Sequence, residues 1–141
     1  MIRKLEKQDI NEIMDIWLNT NILTHEFISE EYWNSNFESV KKEILNADNY
    51  VFEENSVIEG FIGIINGYIA GIFVRKDKQS KGIGKKLIEY CKSIHPELTL
   101  KVYQKNKKAI KFYHREKFKT KEIYIDEKNQ EIEILMSWHE K

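Results

Sequence analysis

Gln79-Ser80-Lys81-Gly82-Ile83-Gly84-Lys85-Lys86-Leu87 follows the apolar run Ile72-Phe73-Val74 across four charged residues, Arg75 to Lys78. A strand that turns through two glycines into a helix leaves the first-turn N–H groups without partners, and the aligned peptide dipoles add positive potential there. A phosphate is the natural ligand of such a turn. Glycine is expected at 82 and 84 because a Cβ at either position would hold that ligand off the backbone. Lys81, Lys85 and Lys86 add charge around it. Two nucleotide motifs do not fit. A Walker loop needs Gly at position 79, which is Gln, and Ser or Thr at position 86, which is Lys. A dinucleotide fingerprint needs a third Gly at position 87, which is Leu. Taken alone, Gly82-Ile83-Gly84 also reads as an ordinary tight turn.

Upstream, Tyr50 to Glu53, Val57 to Ile65 and Tyr68 to Val74 read as three antiparallel strands broken by Asn55-Ser56 and Asn66-Gly67. Asn-Gly between apolar runs is the strongest short hairpin signal. Before them, residues 2–5 read as a short strand. Asp9 is expected to cap a helix whose stripe is Ile10, Ile13, Met14, Trp17 and Leu18. Ser29 opens a second helix with Trp33, Phe37, Val40 and Ile44 on one face. Downstream, a helix from about Gly82 to Ser93 buries Ile83, Leu87, Tyr90, Cys91 and Ile94. Leu98, Leu100 and Val102 alternate as a strand, and Lys107 to Glu116 is helical. Phe118 to Ile125 and Glu131 to Trp138 form a last hairpin. The order β-α-α-β-β-β-α-β-α-β-β makes a mixed α/β sheet, with strand–helix–strand crossovers in the second half implying locally parallel pairing.

The 141 residues fit a single domain, 1–141. Lys plus Arg and Asp plus Glu both number 23, so the net charge is zero, which argues against nucleic-acid binding. The single cysteine excludes an internal disulfide, and no Cys/His spacing suggests a metal site. Apolar runs are too short to span a membrane and the N-terminus lacks a signal-peptide core, so a cytoplasmic protein is expected.

Gln79-x-x-Gly82-x-Gly84 after an apolar strand has the pattern Q/R-x-x-G-x-G/A, and Asn106-Lys107-Lys108-Ala109-Ile110-Lys111-Phe112-Tyr113 has the pattern N-x-x-A-x-x-F-Y. Together, in this order, they resemble the GCN5-related N-acetyltransferase (GNAT) superfamily over nearly the whole chain. Thr24-His25-Glu26-Phe27-Ile28 and Pro96-Glu97-Leu98-Thr99 are similar to small bacterial members. The resemblance implies a mostly antiparallel sheet of about seven strands flanked by four helices. It implies acetyl-CoA as cosubstrate and a small-molecule or protein amine as acceptor, in a monomer or homodimer. One departure is Lys117, where the family usually has a helix-terminating Gly. A lysine in the left-handed conformation costs roughly 1 kcal/mol.

By the same resemblance, backbone amides around Gln79, Ser80, Lys81, Gly82, Ile83, Gly84 and Lys85 take the pyrophosphate. The edge of Ile72, Phe73 and Val74 takes the pantetheine arm as an added strand would, and an N–H there faces the thioester oxygen. Asn106, Ala109, Phe112 and Tyr113 complete the cofactor side. Tyr113 is the candidate general acid for the departing sulfur, since a phenol is protonated at neutral pH. Acceptor residues are expected in His25, Glu26 and Phe27, with Trp17, Tyr32 and Trp33 as possible pocket walls. His25, Glu59 or a water relay could serve as base. Cys91, on a buried stripe, reads as an inert thiol, and Lys105, Lys107, Lys108 and Lys111 as a solvated face. A non-catalytic acyl-CoA-binding module on the same fold is the alternative; Tyr113 favours the enzyme.

Overall fold

The computed structural model describes residues 1–140. Its elements are β1 (Ile2–Lys4), α1 (Ile10–Thr24), α2 (Glu30–Leu45), β2 (Asp48–Glu54), β3 (Val57–Ile65), β4 (Tyr68–Val74), α3 (Ile83–Ile94), β5 (Glu97–Tyr103), α4 (Lys107–Arg115), β6 (Lys119–Asp126) and β7 (Glu131–His139). The seven strands lie in the order β1-β2-β3-β4-β5-β7-β6. Asn55 and Ser56, and likewise Asn66 and Gly67, all have positive φ. Two-residue loops of that kind match the twist of the strands they join.

Crossovers in the second half yield one parallel pair rather than several. β4 and β5, joined through α3, are parallel neighbours. β6, joined to β5 through α4, is kept from it by β7, which pairs antiparallel with both. The β4–β5 ladder is also short, matching only Tyr68 with Thr99 and Ile69 with Leu100. Beyond that point the strands part, so Ala70 to Val74 face a fork with no partner on the β5 side.

Two cores sandwich the sheet. Leu87, Ile88, Leu98, Leu100, Phe118 and Met136 pack on the α3 and α4 side; Ile13, Met14, Trp17, Trp33 and Phe61 pack beneath α1 and α2. Ile94, expected in the buried stripe of α3, is 45% exposed. It is the last helical residue, where the chain leaves the sheet face towards Pro96. Ser29 caps α2 as expected, its hydroxyl oxygen accepting from the Tyr32 N–H at 3.3 Å. Asp9 does not cap α1. Its carboxylate accepts from the Glu6 N–H and from both terminal nitrogens of Arg3, at 2.8 and 3.1 Å. That guanidinium holds the Asp9 carboxyl below the usual carboxylate range. Arg3 also bonds Glu53, so the start of α1 is tied to β1 and β2. Among the described residues no helix is long and apolar enough to cross a membrane.

The end of α4 shows how a lysine replaces a glycine. Lys117 has φ +75°. The Phe118 N–H donates to the Tyr113 carbonyl at 2.9 Å and the Lys117 N–H to the His114 carbonyl at 3.0 Å. This is a Schellman turn with its residue of positive φ at Lys117. Lys117→Gly is therefore expected to stabilise the protein by about 1 kcal/mol, raising the calorimetric Tm by about 3 °C. An unchanged or lower Tm would show that the Lys117 side chain offsets its own strain.

Candidate active site

One cleft of about 1230 Å³ runs from the start of α3, through the fork, to the loop between α1 and α2. Pockets for drug-sized ligands usually stop near about 1,000 Å³, so this one has room for a large cofactor and a second reactant. Its cofactor end is the loop read first from the sequence. Ser80 and Gly82 both have positive φ, +65° and +84°. The Gln79 amide donates to the Val74 carbonyl at 3.0 Å, fastening the loop to the end of β4. No side chain caps α3, so its first-turn N–H groups carry no cap. An anionic group fits there.

The two glycines serve different purposes. At Gly82 a Cβ would meet nothing within 4 Å, and the requirement is the left-handed backbone. At Gly84 a Cβ would come 3.2 Å from the Phe112 ring, so glycine there lets α3 and α4 pack closely. At Gly84 this internal contact is a requirement for glycine additional to the expected approach of a ligand. Gln79, Ser80, Gly82, Ile83, Gly84 and Lys85 line the cleft. Lys81 is exposed outside it. Lys85 lies 3.7 Å from Glu89 and 4.0 Å from Glu116.

Ile72, Phe73 and Val74 line the fork. Phe73 stacks on Phe61 beneath α1, with ring centroids 5.2 Å apart, while Ile72 and Val74 pack on the α3 side. The N–H and C=O groups of this edge that β5 leaves unpaired are available to an extended ligand. Ala109, Phe112 and Tyr113 form the opposite wall on α4. Tyr113 packs against Phe112 and Phe118, at centroid distances of 5.3 and 5.9 Å. Its hydroxyl has no hydrogen-bond partner among the described residues, and it is not sealed in the interior. Burial pushes the phenol above its ordinary pKa. It carries its proton at neutral pH and lines the cleft.

Asn106 caps α4, its Oδ1 accepting from the Ala109 N–H at 3.3 Å. The amide nitrogen then faces His25 Nε2 at 3.5 Å. Since an amide nitrogen can only donate, Nε2 is the acceptor and the ring proton sits on Nδ1. His25 Nδ1 is buried without a partner. The imidazole is boxed by Trp33, Phe27 and Tyr103, with centroids 5.4 to 5.6 Å away. Burial lowers its pKa, so the ring is neutral at physiological pH. His25 thus joins the α1–α2 loop to the start of α4.

Glu26, Phe27, Glu59, Lys105 and Cys91 fall outside the cleft lining, while Lys108 borders it. Glu26 is exposed, and Phe27 is half-buried beneath the Lys105 ammonium. Glu59 pairs with Lys78 at 3.4 Å. Lys105 is bound to Glu131 at 3.1 Å and is not merely a solvated charge. Cys91 is fully buried, its thiol pushed up to about 12 by burial. Trp17, Tyr32 and Trp33 do line the cleft. So do Tyr68, Lys101, Tyr103 and Glu133, which the sequence reading did not single out. The signal for Lys101, Tyr103 and Glu133 was the polar half of the alternation in β5 and β7, which reads equally well as a solvated face; Tyr68 is the first residue of β4. Among the described residues, no group of acidic, His or Cys side chains is placed to hold a metal ion.

The acetyltransferase (GNAT) domain model matches residues 46–120. Peptidyl-lysine N-acetyltransferase YiaC of Escherichia coli K12 is 36% identical over 140 residues, 98% of this chain and 96% of that protein. The solution structure of apo YjaB from E. coli superposes with a TM-score of 0.85 at 26% identity, covering 100% of this chain and 98% of the other. The PaiA N-acetyltransferase of Thermoplasma acidophilum, solved with coenzyme A, also gives 0.85, at 22% identity and 99% and 98% coverage.

Proposed function

The chain belongs to the GNAT acetyltransferase family, and on that premise we propose that it transfers the acetyl group of acetyl-CoA to the side-chain amine of a peptidyl lysine, by direct attack in a ternary complex. The observation that carries this reading is a continuous cleft. It joins the uncapped start of α3, the unpaired edge of β4 and the Tyr113 hydroxyl.

Acetyl-CoA supplies the activated thioester. The first-turn amides of α3, with Gln79, Ser80 and Gly82 shaping the loop, hold the pyrophosphate, and the helix dipole favours its charge. The β4 edge at Ile72 to Val74 orients the arm and offers an N–H to the carbonyl oxygen, which gains charge as the amine attacks. The nitrogen–carbon bond forms, the carbon–sulfur bond breaks, and Tyr113 Oη gives its proton to the sulfur. The amine proton leaves through water. His25, with Nε2 turned to Asn106 and Nδ1 buried, positions α4 instead of acting as base. A peptidyl lysine is the acceptor class because YiaC, a relative over nearly the full length, is named for that substrate.

The test has two arms. Thermal unfolding with acetyl-CoA, CoA, ATP and NAD is expected to show stabilisation by the two CoA forms alone. At about 100 times Kd this is about 2.7 kcal/mol, roughly 5–10 °C for this size. Mass spectrometry of lysine-containing peptides with acetyl-CoA is expected to show a 42 Da gain, about one acetyl group, on lysine only with folded enzyme. No CoA shift would overturn the cofactor site. A shift with no transfer to any lysyl peptide would overturn the acceptor.

A further inference from the structure

On the sheet face that α1 and α2 also pack on, Tyr103, Glu133 and Tyr124 form one cross-strand row over β5, β7 and β6. Glu133 is half-buried and lines the cleft. Its Oε1 accepts from the Tyr124 hydroxyl at 2.8 Å, which leaves Oε2 without a hydrogen-bond partner among the described residues. The neighbouring carboxylates are spoken for: Glu131 pairs with Lys105, and Asp126 accepts from Tyr103 and Asn129. Glu133 has no ion pair among the described residues. The cleft's other carboxylate, Glu116, lies at the far end near Lys85. Tyr68, the first residue of β4, lines the same cleft, and burial, with smaller contributions from the charges of Glu133 and Glu43, raises the pKa of its phenol. Lys101, a basic side chain on this wall, lies over the Tyr124 ring at 5.7 Å from its centroid and forms no ion pair among the described residues.

We propose that Glu133, held by Tyr124, binds a positive charge that the acceptor carries apart from its reacting amine, such as a basic residue flanking the target lysine. This deepens the acetyltransferase reading and rests on it. Two arguments separate the charge from the reacting amine. A carboxylate against the attacking nitrogen would hold its proton on and slow the reaction. At Glu133, beyond the fork, β7 also lies more than two strand spacings from β4, over about 10 Å, whereas the thioester belongs at the β4 edge.

Two synthetic peptides with one lysine each, flanked by arginines or by glutamines, test this in steady-state transfer. Wild-type enzyme is expected to show about tenfold lower KM for the arginine-flanked peptide. Glu133→Gln is expected to raise that KM to the glutamine-flanked value, with acetyl-CoA KM, kcat and Tm within about twofold or 2 °C of wild type. The exposed Lys101→Gln, safe for the fold, moves the preference the other way. A preference surviving Glu133→Gln, an absent preference in wild type, or no effect of Lys101→Gln overturns the proposal while leaving acetyl transfer standing. No transfer to either peptide overturns both readings.

Discussion

Tyr113→Phe is expected to lower kcat by about 10²–10³-fold, the range for losing a positioned general acid, while acetyl-CoA KM changes less than threefold. The Tyr113 hydroxyl has no protein partner to lose, and its ring is held by Phe112 and Phe118. Replacing it by Phe therefore leaves the core intact, with stability within about 0.5 kcal/mol. A loss of kcat with unchanged Tm and cofactor affinity assigns the hydroxyl to chemistry. The pH profile adds an independent check. Because burial raises this phenol above its ordinary value near about 10, it stays protonated throughout the neutral range. Activity of wild type is expected to rise with pH as the acceptor amine loses its proton, without an alkaline fall below about pH 10. An unchanged kcat in Tyr113→Phe removes the residue from the mechanism.

The second large effect is expected at Gly82. Asn and Asp both tolerate the left-handed conformation better than other side chains and have nearly the same shape. A Cβ at this position meets nothing within 4 Å, so neither clashes with the protein. Gly82→Asn is expected to weaken acetyl-CoA binding by a few-fold. Gly82→Asp adds a negative charge roughly 5 Å from the pyrophosphate site, about 3 kcal/mol at an effective dielectric of about 20, or about 10²-fold beyond Asn. Calorimetric titration at two salt concentrations measures both, and the difference between them should shrink as salt rises. Equal affinities for the two variants would mean that the start of α3 is not where the phosphates sit.

Local chemistry was the legible part of this chain. Asn66-Gly67 defines a turn by itself, and Gly82-x-Gly84 after β4 marks a helix start open to an anion. Strands β3 and β4 begin and end as read. What escaped was whatever depends on a distant partner. Asp9 looks like a helix cap until Arg3 is brought beside it by β1. Gly84 shows its packing role only once Phe112 arrives on α4. The place of β7 between β5 and β6 has no local signature, because a hairpin can enter a sheet by either strand. His25 reads as a loop residue because nothing nearby in sequence announces Trp33 and Tyr103 as its neighbours. Glu133 and Tyr124 sit opposite each other in the last hairpin, and only the cleft gives their face a purpose.

The brevity of the β4–β5 ladder bears on how the chain assembles. β1 to β4 lie beside one another in the order in which they occur, and β6 and β7 form a hairpin. The hairpin pairings β2–β3, β3–β4 and β6–β7 are local and carry little loop-closure cost, whereas β1–β2, β4–β5 and β5–β7 each close across intervening helices. Joining β5 to β4 requires the intervening α3 to lie across the face, and its reward is two residue pairs of backbone plus the apolar contacts beneath them. Of the joins that close across a helix, β4–β5 is thus the one with the fewest matched residues to hold it. An extended ligand lodged there would complete, from outside the chain, a seam that the chain's own backbone leaves open.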